Sequence, residues 1–268
     1  MKSDITILLL LYRTPLKLLE NFGVYKNFKV IVLDQSNDKI FKKKLLRVLP
    51  NISKYMLSKK NRGFSKGINL LVKQTKTKYF FCSQADVSID EKSILQLKKT
   101  ISQNKEAAIV VPSINGKKKV FSNNESIVKK MIGASFLGNK KKFIELGMFD
   151  EDFFFYWEDI EFSNRINKSK YKIFINNKSK AIHKNSRSSI KSLKTDFIRN
   201  KNFIYGELLY DFKVKKIRIL KIFRKFIQNS VFFLFNIFLF RLKASTISCA
   251  KLIGILSFLK FYIKKKIK

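Results

Sequence analysis

ITILLLLY, Ile5–Tyr12, is the stretch that decides the fold. The run is apolar and short. It is too brief for a secretory signal core and no small-residue cleavage site follows, so it reads as a buried strand. A strand apolar on both faces belongs in a parallel sheet covered by helices on both sides. Outward from it, Thr14-Pro15 predicts a helix start, with Thr14 as N-cap and Pro15 in the first position. KVIVLD, Lys29–Asp34, predicts a second strand ending in an acid, and a weaker third lies near Ile52–Leu57. NRGFSKGINLLVKQ is a glycine-bearing loop followed by a helix with Ile68, Leu71 and Val72 on its apolar face. KYFFCSQAD, Lys78–Asp86, predicts a strand. A helix over Ser93–Asn104 and a strand over Ala107–Pro112 come next. Strands alternating with helices predict an α/β fold with a mainly parallel sheet. Ligands in such sheets sit beyond the carboxyl ends of the strands, where Tyr12, Asp34 and Asp86 would fall.

Further along, Ser113–Ser126 is polar and loop-like, and a short helix ends at Gly147. Tyr171–Asn176 predicts another strand, and His183 closes a short extended piece. Composition changes after about Lys213, and the chain is expected to divide into an α/β domain over 1–205 and a helical segment over 206–268. From Phe212 to Lys268 there is no acidic residue, and Lys221, Arg224, Lys225, Arg241, Lys243, Lys251 and Lys260 punctuate apolar runs such as Ser230–Phe240. Each run is shorter than the roughly 20 residues of a membrane span. The pattern fits a helix lying on an anionic membrane leaflet. A shallow helical hairpin, or a helix packed on the first domain or on a dimer partner, fits the same composition.

Fifty-seven Lys+Arg against 19 Asp+Glu give a net charge of +38. That predicts attraction to anions: phosphate esters, nucleic acid or an anionic membrane face. Compositional bias toward Lys, Asn, Ile and Phe accounts for the scattered charge equally well. Cys82 and Cys249 lie far apart without ligand-like spacing, which favours a reducing compartment over a disulfide framework or zinc site.

Against this basic background, FDEDFFFYWEDIEFSNR (Phe149–Arg165) gathers Asp150, Glu151, Asp152, Glu158, Asp159 and Glu161. A helix from Trp157 to Arg165 would set Glu158 and Asp159 close enough to oppose joint ionisation, and the aromatic neighbours would desolvate them. That is how a carboxylate becomes a general base near neutral pH. An acidic first turn complementing the helix dipole explains the same spacing. Asp86 at the end of its strand has the chemistry to hold Mg2+ or Mn2+ against a diphosphate, or simply to form a turn. His183, the one histidine, would complete a mixed oxygen and nitrogen site with it, or serve structure alone.

The ordered set LLLLYRTP, VIVLDQSND, NRGFSKGIN, FFCSQAD, IGASFLGNKKKFIELGMFDEDFFFYWEDIEFSNR and AIH resembles the inverting family 2 glycosyltransferases of GT-A fold, especially rhamnosyltransferase-like members that build bacterial surface polysaccharides. The likeness covers about residues 5–185. It implies a Rossmann-like GT-A domain, a nucleoside-diphosphate sugar donor with rhamnose as the sugar, and a glycan or lipid-linked acceptor at the inner face of the cell membrane. It further implies that Asp34 contacts the base or ribose with Tyr12 nearby, and that Asn61, Gly63 and Asn69 form the loop beside the nucleotide. Asp86 and His183 correspond to metal- or diphosphate-binding positions, Asp159 to the catalytic base beside Glu158, and Trp157 to the acceptor wall. Arg165 would buttress the acidic helix or approach phosphate. Gln84, Gln35 and Arg13 depart from the residues frequent at their positions, which bears on donor preference.

Three rivals make different demands. A sugar nucleotidyltransferase needs a Gly- and Lys/Arg-rich phosphate loop after the first strand, and YRTPLK is not one. A nucleic-acid-binding protein needs basic and aromatic residues interleaved on one surface, whereas the acidic block repels phosphate backbones. A degenerate homologue that binds without turnover would not need Asp86, Asp159 and His183.

Overall fold

The computed structural model describes residues 4–36, 38–115, 124–184, 188–215 and 217–267. The polar stretch Ser113–Ser126 therefore lies partly outside the described residues. Two compact units emerge: Met1–Glu151 with Phe162–Ile190, and Asp152–Glu161 with Lys191–Lys268.

The first unit is built on a nine-stranded sheet. Its strands are β1 (Ile5–Leu11), β2 (Lys29–Asp34), β3 (Ile52–Leu57), β4 (Tyr79–Ser83), β5 (Val87–Ile89), β6 (Ala107–Ile114), β7 (Glu125–Val128), β8 (Ser135–Asn139) and β9 (Lys172–His183). The order is β3-β2-β1-β4-β8-β6-β9-β5, with β7 also on β9. Strands β3, β2, β1 and β4 are mutually parallel. Beyond β4 the sheet turns mixed, because β8 runs antiparallel to both β4 and β6. Strand β6 pairs parallel with β9, while β5 and β7 pair antiparallel with it. The continuous apolar character of β1 and β2 is explained by their burial: Ile7, Leu9, Val30 and Val32 are each fully buried in one core with Phe41, Leu45, Phe81 and Leu97.

Helices α1 (Lys39–Val48), α2 (Phe64–Gln74), α3 (Glu91–Gln103) and α4 (Lys140–Glu145) follow strands in this unit. Three of these starts, those of α1, α3 and α4, are chemically marked. Asp38 accepts from Phe41 N, Asp90 from Ser93 N and Asn139 from Lys142 N, each satisfying an otherwise orphaned donor. Thr14 does not cap a helix as expected. A 3-10 helix spans Leu16–Asn27, flanked by Pro15 in extended conformation, with no side-chain cap. Arg13 is left-handed (φ 48) and has already turned the chain, and the buried Thr14 hydroxyl has no hydrogen-bond partner among the described residues. Strand β4 also ends earlier than expected, because Val87 N bonds to Gln84 O and folds Gln84–Asp86 into a turn.

Helix α5 (Glu158–Asn167) contributes its first turn to the second unit and the remainder to the first. The second unit is helical: α6 (Leu193–Val214), α7 (Ile219–Phe238) and α8 (Leu242–Lys266). A capping box between Ser192 and Thr195 starts α6. The expected domain boundary at 205/206 falls inside this unbroken helix. Composition changes where acids stop, whereas compactness follows packing, and α6 packs with Phe153, Ile255 and Phe258 in one cluster. Gly254 permits the close approach. A Cβ there would meet Lys201 O at 2.4 Å and Ile204 Cγ2 at 2.3 Å.

Candidate functional site

At the carboxyl end of β2 the Asp34 carboxylate is buried and held at both oxygens. Oδ1 accepts from Ser36 N at 2.7 Å and Oδ2 from the Tyr55 hydroxyl at 3.0 Å. Burial, reinforced by the Asp34 charge, pushes the Tyr55 phenol well above its ordinary range, so it stays a donor. Gln35 ties this end to the glycine loop by accepting from Arg62 N at 2.6 Å. Within the loop Asn61 Oδ1 accepts from Gly63 N at 2.9 Å. Gly63 itself has φ 82 and ψ −177, a conformation that side chains disfavour. Tyr12 directly follows β1 and is partly exposed.

Asn69 is not open to a ligand in the way the motif suggested. Its amide donates to Phe149 O at 2.8 Å and accepts from Phe149 N at 3.1 Å, with Glu151 Oε1 at 3.2 Å. It positions the chain entering the acidic stretch. Arg165 does similar work: its guanidinium donates to Leu146 O and to Met148 O, and it lies over the Phe162 ring. That arrangement buttresses a turn in which Gly147 and Met148 are both left-handed, and directs Arg165 away from a phosphate role.

The turn after β4 brings Asp86 beside His183 at the end of β9. Val87 pairs with His183 in the ladder, and Lys184 N bonds to Asp86 O at 3.0 Å. Asp86 is fully buried and its Oδ2 stands 3.5 Å from His183 Nε2. Asn115 locks the histidine backbone, donating to His183 O and accepting from His183 N at 2.7 Å. Among the described residues His183 Nε2 is buried without a hydrogen bond, and there is no group of three or more His, Cys, Asp or Glu able to hold a metal. One carboxylate and one imidazole suit Mn2+ or Mg2+ only if the remaining positions are filled from outside the protein, as diphosphate oxygens would do. In that sense the pair fits the ion.

In the second unit, Tyr156 (φ 71) and Trp157 (φ 73) are consecutive left-handed residues just before α5. Such backbone costs of order 1–3 kcal/mol per residue and concentrates at functional sites. Gly206 on α6 accommodates it: a Cβ there would come within 3.0 Å of both Trp157 Cδ1 and Tyr156 O. Trp157 is walled by Phe203 and Tyr210, with ring centroids 5.8 and 5.6 Å away. Glu158, Asp159 and Glu161 occupy the first turn of α5, where the helix dipole favours negative charge. Glu158 is buried, its Oε2 has no hydrogen-bond partner among the described residues, and burial, then the Asp159 charge, raises its carboxyl well above 4.5. Asp159 is less buried and accepts from Ile160 N at 2.9 Å. The two carboxylates are therefore inequivalent, which the sequence spacing alone left open.

Tyr55, Asn115 and Gly206 were not legible as site residues. Each acts through a partner 21, 68 or about 50 positions away, with no local pattern to mark it.

Among the solved structures that share the fold are two with a nucleotide or nucleotide sugar and Mn2+. A mannosyltransferase from Pyrobaculum calidifontis, in complex with GDP-Man and Mn2+, superposes with TM-score 0.60 at 12% identity, over 79% of this chain and 65% of that one. GalNAc-T7 with UDP, GalNAc and Mn2+ superposes with TM-score 0.56 at 14% identity, over 67% of this chain and 43% of that one. The chain thus spans less than two thirds of the length of either. No curated protein matches the sequence. The sheet order and these neighbours make the fold GT-A. The family model for glycosyl transferase family 2 matches residues 9–161, more than half of the sequence and the region carrying Asp34, the glycine loop, Asp86 and the Glu158–Asp159 pair, and the chain belongs to that family.

Proposed function

We propose that the protein is an inverting, metal-dependent glycosyltransferase. It transfers a hexose from a nucleoside diphosphate to a hydroxyl of a glycan or lipid-linked acceptor in surface polysaccharide synthesis. Motif likeness suggests rhamnose as the sugar. The observation that carries the reading is the buried Asp86 carboxylate 3.5 Å from His183 at the carboxyl edge of the sheet. Both structural neighbours were solved with a nucleotide or nucleotide sugar and Mn2+, which supports the same chemistry here.

Asp86 and His183 would hold Mn2+ or Mg2+, and the bound cation would neutralise charge on the departing diphosphate. Asp34, fixed by Ser36 and Tyr55, is an anchored acceptor for donor N–H or O–H groups on the base or ribose. Gly63 and Asn61 shape the loop beside it, and Tyr12 flanks it. Burial and the Asp159 charge favour the neutral form of Glu158, so Asp159, the less buried carboxylate, is the group assigned to take the acceptor hydroxyl proton. Attack by that oxygen opposite the leaving group inverts the anomeric carbon in one displacement.

The test is thermal stability against dTDP, UDP, GDP and CMP, each with and without Mn2+ or Mg2+. A ligand at a hundred times its Kd stabilises the native state by about 2.7 kcal/mol. One diphosphate should raise the melting temperature only with metal, and Asp86→Ala should abolish the rise. Asp159→Asn should keep the rise and lose transfer by roughly 10²–10⁴-fold. A folded protein shifted by no nucleotide, or an Asp159→Asn variant of near wild-type rate, contradicts the assignment.

A further inference from the structure

Helix α7 is built inside out. Its more buried positions, Ile222, Lys225, Asn229, Phe233 and Asn236, recur at spacings of three and four and so form one face. Two of the helix's three cations, Lys221 and Lys225, are turned toward this side. Lys221 Nζ lies 2.8 Å from Glu207 Oε1 and 2.5 Å from Asp211 Oδ2, and Lys225 Nζ lies 3.1 Å from Glu207 Oε2. Asn229 Nδ2 bonds to Lys225 O at 2.7 Å. The opposite face presents Phe223, Ile227, Val231, Leu234, Phe235 and Phe238, all exposed. The turn that follows is more apolar still: Phe240 is 95% exposed and left-handed, with exposed Arg241 beside it. A helix in water shows the reverse pattern, charge outward and apolar residues inward. A contiguous apolar face of this kind marks a binding surface.

Charge identifies what it binds. The segment from Phe212 to Lys268 has no Asp or Glu. With Lys221 and Lys225 turned inward, Arg224 on α7, Arg241 in the turn, and Lys260 and Lys264 on α8 remain exposed. A second copy docking on the same face would set these cations against each other with no acid of the segment to pair them. An anionic lipid headgroup layer pairs them at once. The apolar stretch from Val231 to Phe240 measures only about 15 Å as helix, half of a hydrocarbon core of about 30 Å. Helix α8 is, by length and composition, apolar enough to cross a membrane, with 28% of its apolar window buried. It carries Lys251 and Lys260 along its length.

We propose that the outer face of α7 and the α7–α8 turn bed into one leaflet of an anionic bilayer, with Phe235, Phe238 and Phe240 inserted and Arg224 and Arg241 at the phosphates. This inference does not depend on the transfer chemistry.

The test is co-sedimentation of the full chain with phosphatidylcholine vesicles, with and without about one-third phosphatidylglycerol. Wild type should bind the anionic vesicles at least about tenfold more strongly than the neutral ones. Phe235→Ser with Phe238→Ser should weaken that binding by about a hundredfold, each ring contributing about tenfold or more. The replaced rings are exposed, so the melting temperature should not fall. Arg224→Glu with Arg241→Glu should erase the anionic preference. Equal binding by wild type and the Phe variant, or no binding to either vesicle, overturns the proposal. So does a protein that ignores vesicles but forms dimers that the Phe variant dissolves.

Discussion

Replacing Glu158 with Gln tests the electrostatics of the acidic turn without changing its shape. Glu158 is 5% exposed, and its carboxyl is raised well above 4.5 by burial first and by Asp159 second. A raised carboxyl means that the folded state holds a proton that the unfolded state has released. This contribution to stability is full below the unfolded value near 4.5 and declines as pH rises toward the folded value. In that window the slope from one group reaches about 1.4 kcal/mol per pH unit. Gln keeps the neutral shape and does not titrate. The stability difference between Glu158→Gln and wild type should therefore grow with pH, in favour of the variant, by up to about 1.4 kcal/mol per unit from pH 5 upward. Other titrating groups are common to both proteins and cancel. Urea unfolding at unit pH intervals from about pH 5 to 8 reads the difference directly. Asp159→Asn should shorten the window, since it removes the second cause and leaves the first. Transfer by Glu158→Gln should persist at a rate far above that of Asp159→Asn. Parallel stability curves for Glu158→Gln and wild type would refute the reasoning, because they would mean that Glu158 is ionised in the native state.

Two further substitutions probe packing. Gly254→Ala should destabilise the helical unit by about 1–2 kcal/mol, the gain of about 1 kcal/mol in helix propensity being outweighed by a Cβ placed 2.4 Å from Lys201 O. Denaturant midpoints and hydrogen exchange in α6 and α8 measure it, and a stabilised variant would show that the helices separate without cost. Asn69→Ala should cost about 2–4 kcal/mol, since it strands both the N–H and the C=O of buried Phe149. A loss under about 0.5 kcal/mol would mean that those groups find other partners.

Much of the α/β unit was legible because its signals are local. β1 and β2 are apolar on both faces because helices cover both faces. NRGF reads as a loop because Gly63 alone tolerates its backbone angles. Glu158-Asp159 reads equally well as a paired-carboxylate site and as an acidic first turn complementing the helix dipole. Less was legible wherever a partner lay far along the chain. Asn69 carries a motif match, yet its amide answers to Phe149, 80 residues away. Thr14 has the chemistry of a cap, but Arg13 turns the chain first.

By itself the sequence determined the alternation of strands and helices, the residues at the carboxyl edge of the sheet, and the absence of acids after Asp211. These are properties of composition and short-range period, which every copy of the chain carries whether folded or not. Tertiary structure decided that β8 would enter between β4 and β6 and turn the sheet mixed. It set Asp86 against His183, 97 positions later in the chain. It separated Glu158 from Asp159 by burial, and it turned Lys221 and Lys225 inward onto Glu207 and Asp211, so that α7 faces outward with its phenylalanines. Burial and ion pairing depend on which distant groups arrive at the same place, and no window of neighbouring residues contains that information.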